Sequence, residues 1–273
     1  MGIGTSVPEF SINLAAVFGG SPGLGLGTVI GSNTFNILFI IGVLAVISPI
    51  VFKKEYLVHD LLFNAGAIFV AIFFAFLPVL GGPYFYGITR PEGVVIFLLF
   101  IAWLVFEIGR GKEKGEGSSI ETKFVGFGSA VVMVLVGIIG VFIGGHWVVS
   151  GAETLANALN ISRSLFGLSI VAVGTSLPEL SVSISALLAG KKDIAVGNII
   201  GSNIFDFLGI LGTVSLLRPI PFPENMSFDI FMTAIATILL GVVVFVGKRY
   251  HISRSQGLFF IIIYLIYLCS LFF

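Results

Sequence analysis

The sequence has few charged residues. Asp, Glu, Lys and Arg together make up only 10% of its 273 residues, whereas a soluble domain carries roughly a quarter. Hydrophobic residues reach 57%, and the mean hydropathy is +1.12. Such a chain cannot cover a water-facing surface, so it belongs in a bilayer. Its formal net charge of zero gives no reason to expect a nucleic-acid partner.

Cysteine is almost absent too. The single Cys269 cannot form an internal disulfide and says little about redox compartment. The N-terminus lacks the basic region of a secretory signal. There is also no nucleophile–base set or phosphate-binding loop, so we do not expect an enzyme.

Long apolar runs are what the sequence does contain. A membrane-spanning helix needs ~20 apolar residues. Continuous runs favour helices over a closed barrel, which would show short alternating strands. The sequence therefore predicts an all-α polytopic membrane protein with nine segments. These lie at about 1–19, 26–48, 58–80, 94–109, 124–149, 163–189, 194–217, 228–247 and 256–273.

One charged, Gly-rich linker, 111–123, divides the chain into predicted halves at 1–110 and 124–273. The basic residues are unevenly placed around the segments. Alternate gaps hold eleven of the 14 Lys and Arg, and the others hold only Arg90, Arg163 and Arg218. By the positive-inside rule, the linker is expected in the cytoplasm and the C-terminus outside the cell.

The two halves contain an internal repeat. GTSVPEFS at 4–11 matches GTSLPELS at 174–181, and GSNTFN at 31–36 matches GSNIFD at 201–206. Both matches have an offset of 170. The copies lie five segments apart, an odd number, so they cross the membrane in opposite directions. This predicts an inverted-topology repeat, common in secondary transporters, whose ion sites lie near the midplane between repeats.

The repeat also predicts an incomplete first half. The second half has a whole apolar run before its motif helix, whereas the first half starts inside that helix. The 48 residues at 123–170 therefore have no counterpart. We expect one helix, and the start of the next, to be missing from this chain.

Three acidic residues lie deep in apolar spans: Glu9, Glu179 and Asp206. Ionisable groups there are costly and mark a functional site by default. The alternative is a protonated carboxyl group satisfied by a neighbour. For Asp206 that alternative carries more weight, because its repeat counterpart is Asn36 and a residue there can be polar without carrying charge.

Helical spacing places oxygen-bearing residues on the same faces as these acids. Pro8 and Pro178 add to the set, because each lacks an N–H and frees the carbonyl of Gly4 or Gly174, loosening neighbouring carbonyls as well. Asn33 and Asn203 are interpreted as residues that shape helix breaks or close contacts. The faces comprise Gly2, Thr5, Ser6 and Glu9; Ala172, Thr175, Ser176 and Glu179; Ser32 and Asn36; and Ser202 and Asp206.

This donor set contains oxygen only. Hard cations take oxygen ligands, and Ca²⁺ takes about 6–8 of them. Softer metals would prefer Cys or His. Two glutamates would neutralise one Ca²⁺, so the residues predict a site for a hard cation.

The paired motifs GTSVPE/GSNTFN and GTSLPE/GSNIFD resemble the α-repeats of the cation/calcium exchanger superfamily, especially prokaryotic sodium/calcium exchangers. The resemblance implies ten helices in two inverted halves of five, so that helix one would be missing here. It implies that Glu9 and Glu179 bind Ca²⁺ with the Thr5 and Thr175 carbonyls. The implied residues of the flanking Na⁺ sites and the site centre are Gly2, Ser6, Ser32, Asn36, Ala172, Ser176, Ser202 and Asp206.

The implied function is Ca²⁺ export driven by Na⁺ entry through alternating access. No cofactor and no nucleic acid are expected; the partners are the two ions and the lipid bilayer. A Ca²⁺/H⁺ exchanger is the nearest alternative, although hydroxyl-rich faces favour Na⁺. A cation channel and an inactive, truncated family member are the others.

Overall fold

The structure is a computed structural model that describes residues 2–51, 54–77, 86–113, 126–246 and 250–272. Most of these residues are helical, and four two-residue strands lie in the connections between helices. The elements are α1 (Gly2–Thr5), α2 (Val7–Phe18), α3 (Pro22–Thr34), π1 (Phe35–Ile40), α4 (Ile41–Ile47), β1 (Ile50–Val51), α5 (Lys54–Phe76), β2 (Gly87–Ile88), α6 (Arg90–Glu113), α7 (Phe127–Ala158), α8 (Arg163–Phe166), π2 (Gly167–Val171), α9 (Ala172–Thr175), α10 (Leu177–Leu188), α11 (Lys192–Ile204), π3 (Phe205–Ile210), α12 (Leu211–Leu217), β3 (Ile220–Pro221), a 3₁₀ turn (Glu224–Met226), α13 (Ser227–Phe245), β4 (His251–Ile252) and α14 (Arg254–Ser270).

The all-α membrane fold predicted from the sequence is confirmed. In the described part of the chain, consecutive elements join into nine helical stretches, one for each predicted segment. Six of these stretches are long and apolar enough to cross a bilayer. Val7–Phe18 and Arg254–Ser270 are shorter apolar helices.

Two helices extend well past their predicted C-terminal ends. α7 continues to Ala158 rather than ending near residue 149, because polar residues at a helix end remain compatible with helix once the chain leaves the apolar layer. For the same reason α6 continues to Glu113, so residues 111–113 of the predicted linker are helical. The rest of that linker, 114–123, lies outside the described residues.

The repeat is visible in the backbone as well as in the sequence. Ser6 separates α1 from α2 with φ −85° and ψ 10°, and Ser176 separates α9 from α10 with φ −84° and ψ 2°. Gly20 and Gly190 both adopt positive φ, 80° and 77°, in the loops that follow. Glycine occupies such positions because a side chain would be strained there. Both pairs keep the offset of 170.

A π-helical turn interrupts the next helix in each repeat. π1 follows α3, and π3 follows α11, again at an offset of 170. Asn36 lies in π1 and Asp206 lies in π3. Such turns are often found at functional sites, because the extra residue breaks the regular helical hydrogen bonding.

Close contacts between the repeats bring the two motifs together. A Cβ on Gly2 would lie only 2.5 Å from the Ser202 nitrogen, so α1 packs directly on α11. A Cβ on Gly31 would lie 2.2 Å from the Leu168 carbonyl oxygen and 2.7 Å from the Ala172 Cβ. Each broken helix therefore packs on the other repeat, as small residues allow in membrane proteins.

Strand pairs also join the two repeats. β1 pairs antiparallel with β4, aligning Ile50 with Ile252. β2 pairs antiparallel with β3, aligning Ile88 with Ile220. Each pair takes one strand from each half of the chain, so the loops as well as the helices link the repeats.

The contact between α4 and α14 generates a stability prediction. A Cβ on Gly42 would meet the Gly257 carbonyl oxygen at 2.8 Å, and a Cβ on Gly257 would meet the Gly42 carbonyl oxygen at 2.6 Å. We expect Gly42→Ala to lower the free energy of unfolding by about 1–3 kcal/mol, the usual cost of overpacking. Thermal unfolding in detergent measures it.

Gly241→Ala is the matched control, since nothing lies within 4 Å of its added Cβ. We expect it to leave the unfolding temperature unchanged or slightly higher. Equal melting of both variants would show that the α4–α14 contact adjusts without cost.

Candidate cation site

The twelve candidate residues from the two motifs meet where the repeats pack together. Nine of them have buried polar side chains, with Glu9 and Asp206 at 1% exposure and Glu179 at 0%. Ala172 and Gly2 are also buried, and Thr5 is half-buried. The predicted residues are thus brought into the protein interior by the fold.

Glu179 receives hydroxyl groups from both repeats. Ser6 Oγ donates to Glu179 Oε1 at 3.2 Å, and Ser202 Oγ contacts the same oxygen at 3.3 Å. Thr5 Oγ1 lies 3.3 Å from Ser202 Oγ. The first motif of one repeat therefore binds the glutamate of the other.

The carbonyl groups before each helix break accept similar hydrogen bonds. The Gly2 oxygen accepts from Thr5 Oγ1 at 3.0 Å and from Ser202 Oγ at 3.1 Å. In the second repeat, the Ala172 oxygen accepts from Thr175 Oγ1 at 3.1 Å. The predicted breaks are present, and Pro8 and Pro178 lie directly after them without an N–H to offer.

Asp206 lies between the second motifs. Its Oδ2 accepts from Ser32 Oγ at 3.3 Å and from Asn33 Nδ2 at 2.9 Å. Asn36 Nδ2 donates to Asn203 Oδ1 at 3.0 Å. The two π turns are thus linked to the α3 and α11 helices of opposite repeats.

Asn33 and Asn203, which the sequence predicted to shape helix breaks or close contacts, make close contacts between the repeats. Both side chains are fully buried, and both bind site residues of the other repeat. The GSN triplet carries an asparagine at this position in both copies.

Three carboxylates share this interior. Glu9 interacts electrostatically with Asp206 and Glu179, and the Thr175 side chain contacts Glu9. In the part of the chain that the structure describes, no three His, Cys, Asp or Glu residues are close enough to hold a metal by themselves. A cation bound here would therefore need neutral oxygens as well as carboxylates.

Several buried oxygens of the site have no hydrogen-bond partner. An unsatisfied buried polar atom costs about 1–3 kcal/mol, and more when it is charged. Six such oxygens compare well with the 6–8 that Ca²⁺ takes, so the donor set fits a hard cation. They are Glu9 Oε2, Asn33 Oδ1, Asn36 Oδ1, Ser176 Oγ, Glu179 Oε2 and Asp206 Oδ1.

An inverted repeat of broken membrane helices around buried carboxylates defines a membrane transporter for cations. Comparison with known proteins gives the family. The chain belongs to the sodium/calcium exchanger protein family, which it matches over residues 1–109 and 129–273. This confirms the family resemblance of the motifs.

Individual relatives include a membrane protein and a sodium/calcium exchanger. The chain is 34% identical to the uncharacterized membrane protein MJ0091 of Methanocaldococcus jannaschii, over 99% of this chain and 84% of that protein. It is 31% identical to the sodium/calcium exchanger MaX1 of Methanosarcina acetivorans, over 99% of this chain and 86% of that protein. A structure of the sodium-calcium exchanger NCX_Mj soaked with Na⁺ and Ca²⁺ matches with a TM-score of 0.69 at 34% identity, covering 99% of this chain and 84% of that one.

The environment of Asp206 generates the second prediction. Asp206→Asn should keep a folded protein and substantial ion exchange, because an amide oxygen can accept the same two hydrogen bonds and Asn36 already holds the mirrored place. Asp206→Leu should lose exchange, because Ser32 and Asn33 would lose their acceptor. Flux assays of both purified variants test this. Complete loss in Asp206→Asn would show that the negative charge itself takes part in ion binding.

Proposed function

We propose that the protein exports Ca²⁺ in exchange for Na⁺ by alternating access. The observation that carries the proposal is the pair of repeat-related glutamates, Glu9 and Glu179, buried between the repeats with oxygen partners from the opposite half. Membership of the sodium/calcium exchanger family supports the choice of ions.

In this proposal the two glutamates bind Ca²⁺ with the carbonyl oxygens of Thr5 and Thr175. A dication is matched by two carboxylates, and their free Oε2 atoms are available for it. Na⁺ binds in flanking and central positions, where neutral oxygens lie beside the carboxylates. Those positions comprise Gly2, Ser6, Ser32, Asn36, Ala172, Ser176, Ser202 and Asp206.

Shared ligands explain why transport would be an exchange. The Na⁺ positions overlap the Ca²⁺ position beside Glu9 and Glu179, so binding of one ion species opposes binding of the other. With either species bound, the buried negative charge is neutralised, which lowers the cost of closing the site from water. An empty site keeps its negative charge, so closing it from water costs more free energy. This difference couples the movement of the two ions.

The inverted repeats supply the second requirement, access from either side. Two copies of opposite orientation can exchange conformations, so that a site between them opens first to one face and then to the other. The distribution of basic residues supports a cytoplasmic location for the 111–123 segment and an extracellular C-terminus. Ca²⁺ and Na⁺ are the cargo, and no cofactor is part of the proposal.

Ca²⁺/H⁺ exchange is the second candidate, because three buried carboxylates can bind protons instead of Na⁺. Proteoliposomes separate the two. We expect ⁴⁵Ca²⁺ uptake into Na⁺-loaded vesicles diluted into Na⁺-free buffer, and little uptake when only a pH gradient is imposed. Uptake that follows the pH gradient alone would favour H⁺ coupling. Uptake without any counter-ion gradient would indicate a channel.

Charge removal at the glutamates is the third prediction. Glu179→Gln and Glu9→Gln should each lower Ca²⁺ exchange by about a hundredfold or more, since losing one charge from a buried charged contact costs about 2–5 kcal/mol. The measurement is initial ⁴⁵Ca²⁺ uptake by folded, reconstituted protein.

Glu107→Gln is the matched control. Glu107 forms an ion pair with Arg110 near the end of α6, and its side chain is 34% exposed. The same chemical change there should leave exchange close to the unsubstituted rate. Normal uptake by folded Glu179→Gln would remove Glu179 from the proposed site.

A further inference from the structure

Four more polar side chains lie one helical turn from the candidate site, two in each repeat. All four are buried, with exposures of 0–2%. They are Asn13 and Thr28 in the first repeat, and Ser183 and Asn198 in the second. The offset of 170 relates Asn13 to Ser183 and Thr28 to Asn198. The amide therefore lies on the first helix of the hairpin in the first repeat and on the second helix in the second repeat.

In the second repeat these residues extend the polar face of the site. Ser183 follows Glu179 by four residues on α10, and Asn198 precedes Ser202 by four residues on α11. Residues four apart share a helix face. One turn further on, the same faces carry the apolar Leu187 and Ile194. The polar face therefore reaches one turn, about 5.4 Å, beyond the glutamate.

In the first repeat, Asn13 and Thr28 form hydrogen bonds to the backbone of their own helices. Asn13 Nδ2 donates to the Glu9 carbonyl oxygen at 2.9 Å, and Thr28 Oγ1 donates to the Leu24 carbonyl oxygen at 2.9 Å. Both bonds are made to a residue four positions earlier on the same helix. They stabilise each side chain within its own helix.

The second repeat differs. Asn198 Nδ2 donates across the hairpin to Ser183 Oγ at 3.3 Å. Asn198 Oδ1 is buried and has no hydrogen-bond partner among the residues that the structure describes. A buried oxygen left without a partner is destabilising. That oxygen belongs to the same amide group that bonds Ser183, and Asn198 lies one helical turn from the site residue Ser202, so a cation is a partner that would satisfy it.

We propose that Asn198 and Ser183 form a transit site for Na⁺ between the carboxylate site and the membrane face that carries the loop at 189–191. This inference rests on the proposed Na⁺/Ca²⁺ exchange. Both ligands are neutral, which suits a monovalent ion better than Ca²⁺, a cation that favours carboxylates. A neutral site also binds weakly, and conduction requires an ion to leave as readily as it enters.

The Asn198→Leu variant tests the proposal, because leucine has nearly the shape of asparagine and lacks its oxygen. Two readouts are needed: Na⁺-driven ⁴⁵Ca²⁺ flux in proteoliposomes, and Ca²⁺-dependent thermal stabilisation in detergent, which reports binding at the carboxylates. We expect flux to fall about tenfold, whereas the half-saturating Ca²⁺ concentration changes by less than about threefold.

Asn198→Asp tests the same site in the opposite direction. A carboxylate there should hold Na⁺ more tightly, so we expect a lower half-saturating Na⁺ concentration together with slower maximal flux. Thr28→Val is the matched control, since it removes the hydroxyl at the repeat-related position, where it only bonds its own helix. We expect that variant to keep both flux and Ca²⁺ stabilisation.

Three results would overturn the transit site. The first is normal flux in folded Asn198→Leu, and the second is an unchanged Na⁺ dependence in Asn198→Asp. The third is loss of Ca²⁺ stabilisation together with flux in Asn198→Leu, which would show that Asn198 only positions α11.

Failure of the proposed function itself would be seen in the unsubstituted protein, which would then show no Na⁺-driven flux.

Discussion

The structure depends on how buried carboxylates are tolerated in an apolar protein. Glu9, Glu179 and Asp206 are removed from water, and the hydrogen bonds to Glu179 and Asp206 come from hydroxyl and amide groups. Neutral donors orient these carboxylates but do not cancel their charge. In the proposed exchange, the bound cations neutralise this buried charge and so contribute to the stability of the packed state.

Packing across the repeats follows from the same buried carboxylates. A single hairpin supplies only part of the contacts of its own glutamate, since Glu179 is reached by Ser202 of the same repeat and also needs a hydroxyl group from the first repeat. Ser6 therefore binds Glu179, and Ser32 binds Asp206. The glycines at 2 and 31 let the backbones approach closely enough for these bonds. The halves predicted at 1–110 and 124–273 remain useful descriptions of the repeat, but each holds only part of the site.

Much of this was predictable from the sequence. The offset of 170 and the intramembrane acids predicted the repeat and a set of residues that the structure buries between the repeats, because matching motifs at one constant spacing occupy equivalent places. The π turns were not predictable, since nothing in the sequence around Asn36 differs from ordinary helix. The partners of Asn33 and Asn203 were not predictable for a related reason: they lie 173 and 167 positions away in the chain. Such contacts depend on the crossing of helices, which periodicity alone does not fix.

The strand pairs have a consequence for biosynthesis. β1 and β2 emerge from the ribosome long before β4 and β3, their partners in the second repeat. Ser202, which binds the Gly2 carbonyl, is likewise made 200 residues after it. The first repeat must therefore enter the bilayer while Glu9 still lacks its neighbours from the second. During that interval the nascent chain carries a buried acid without its later contacts and strand edges without their partners, so the first repeat reaches its final packing only after the second has been made.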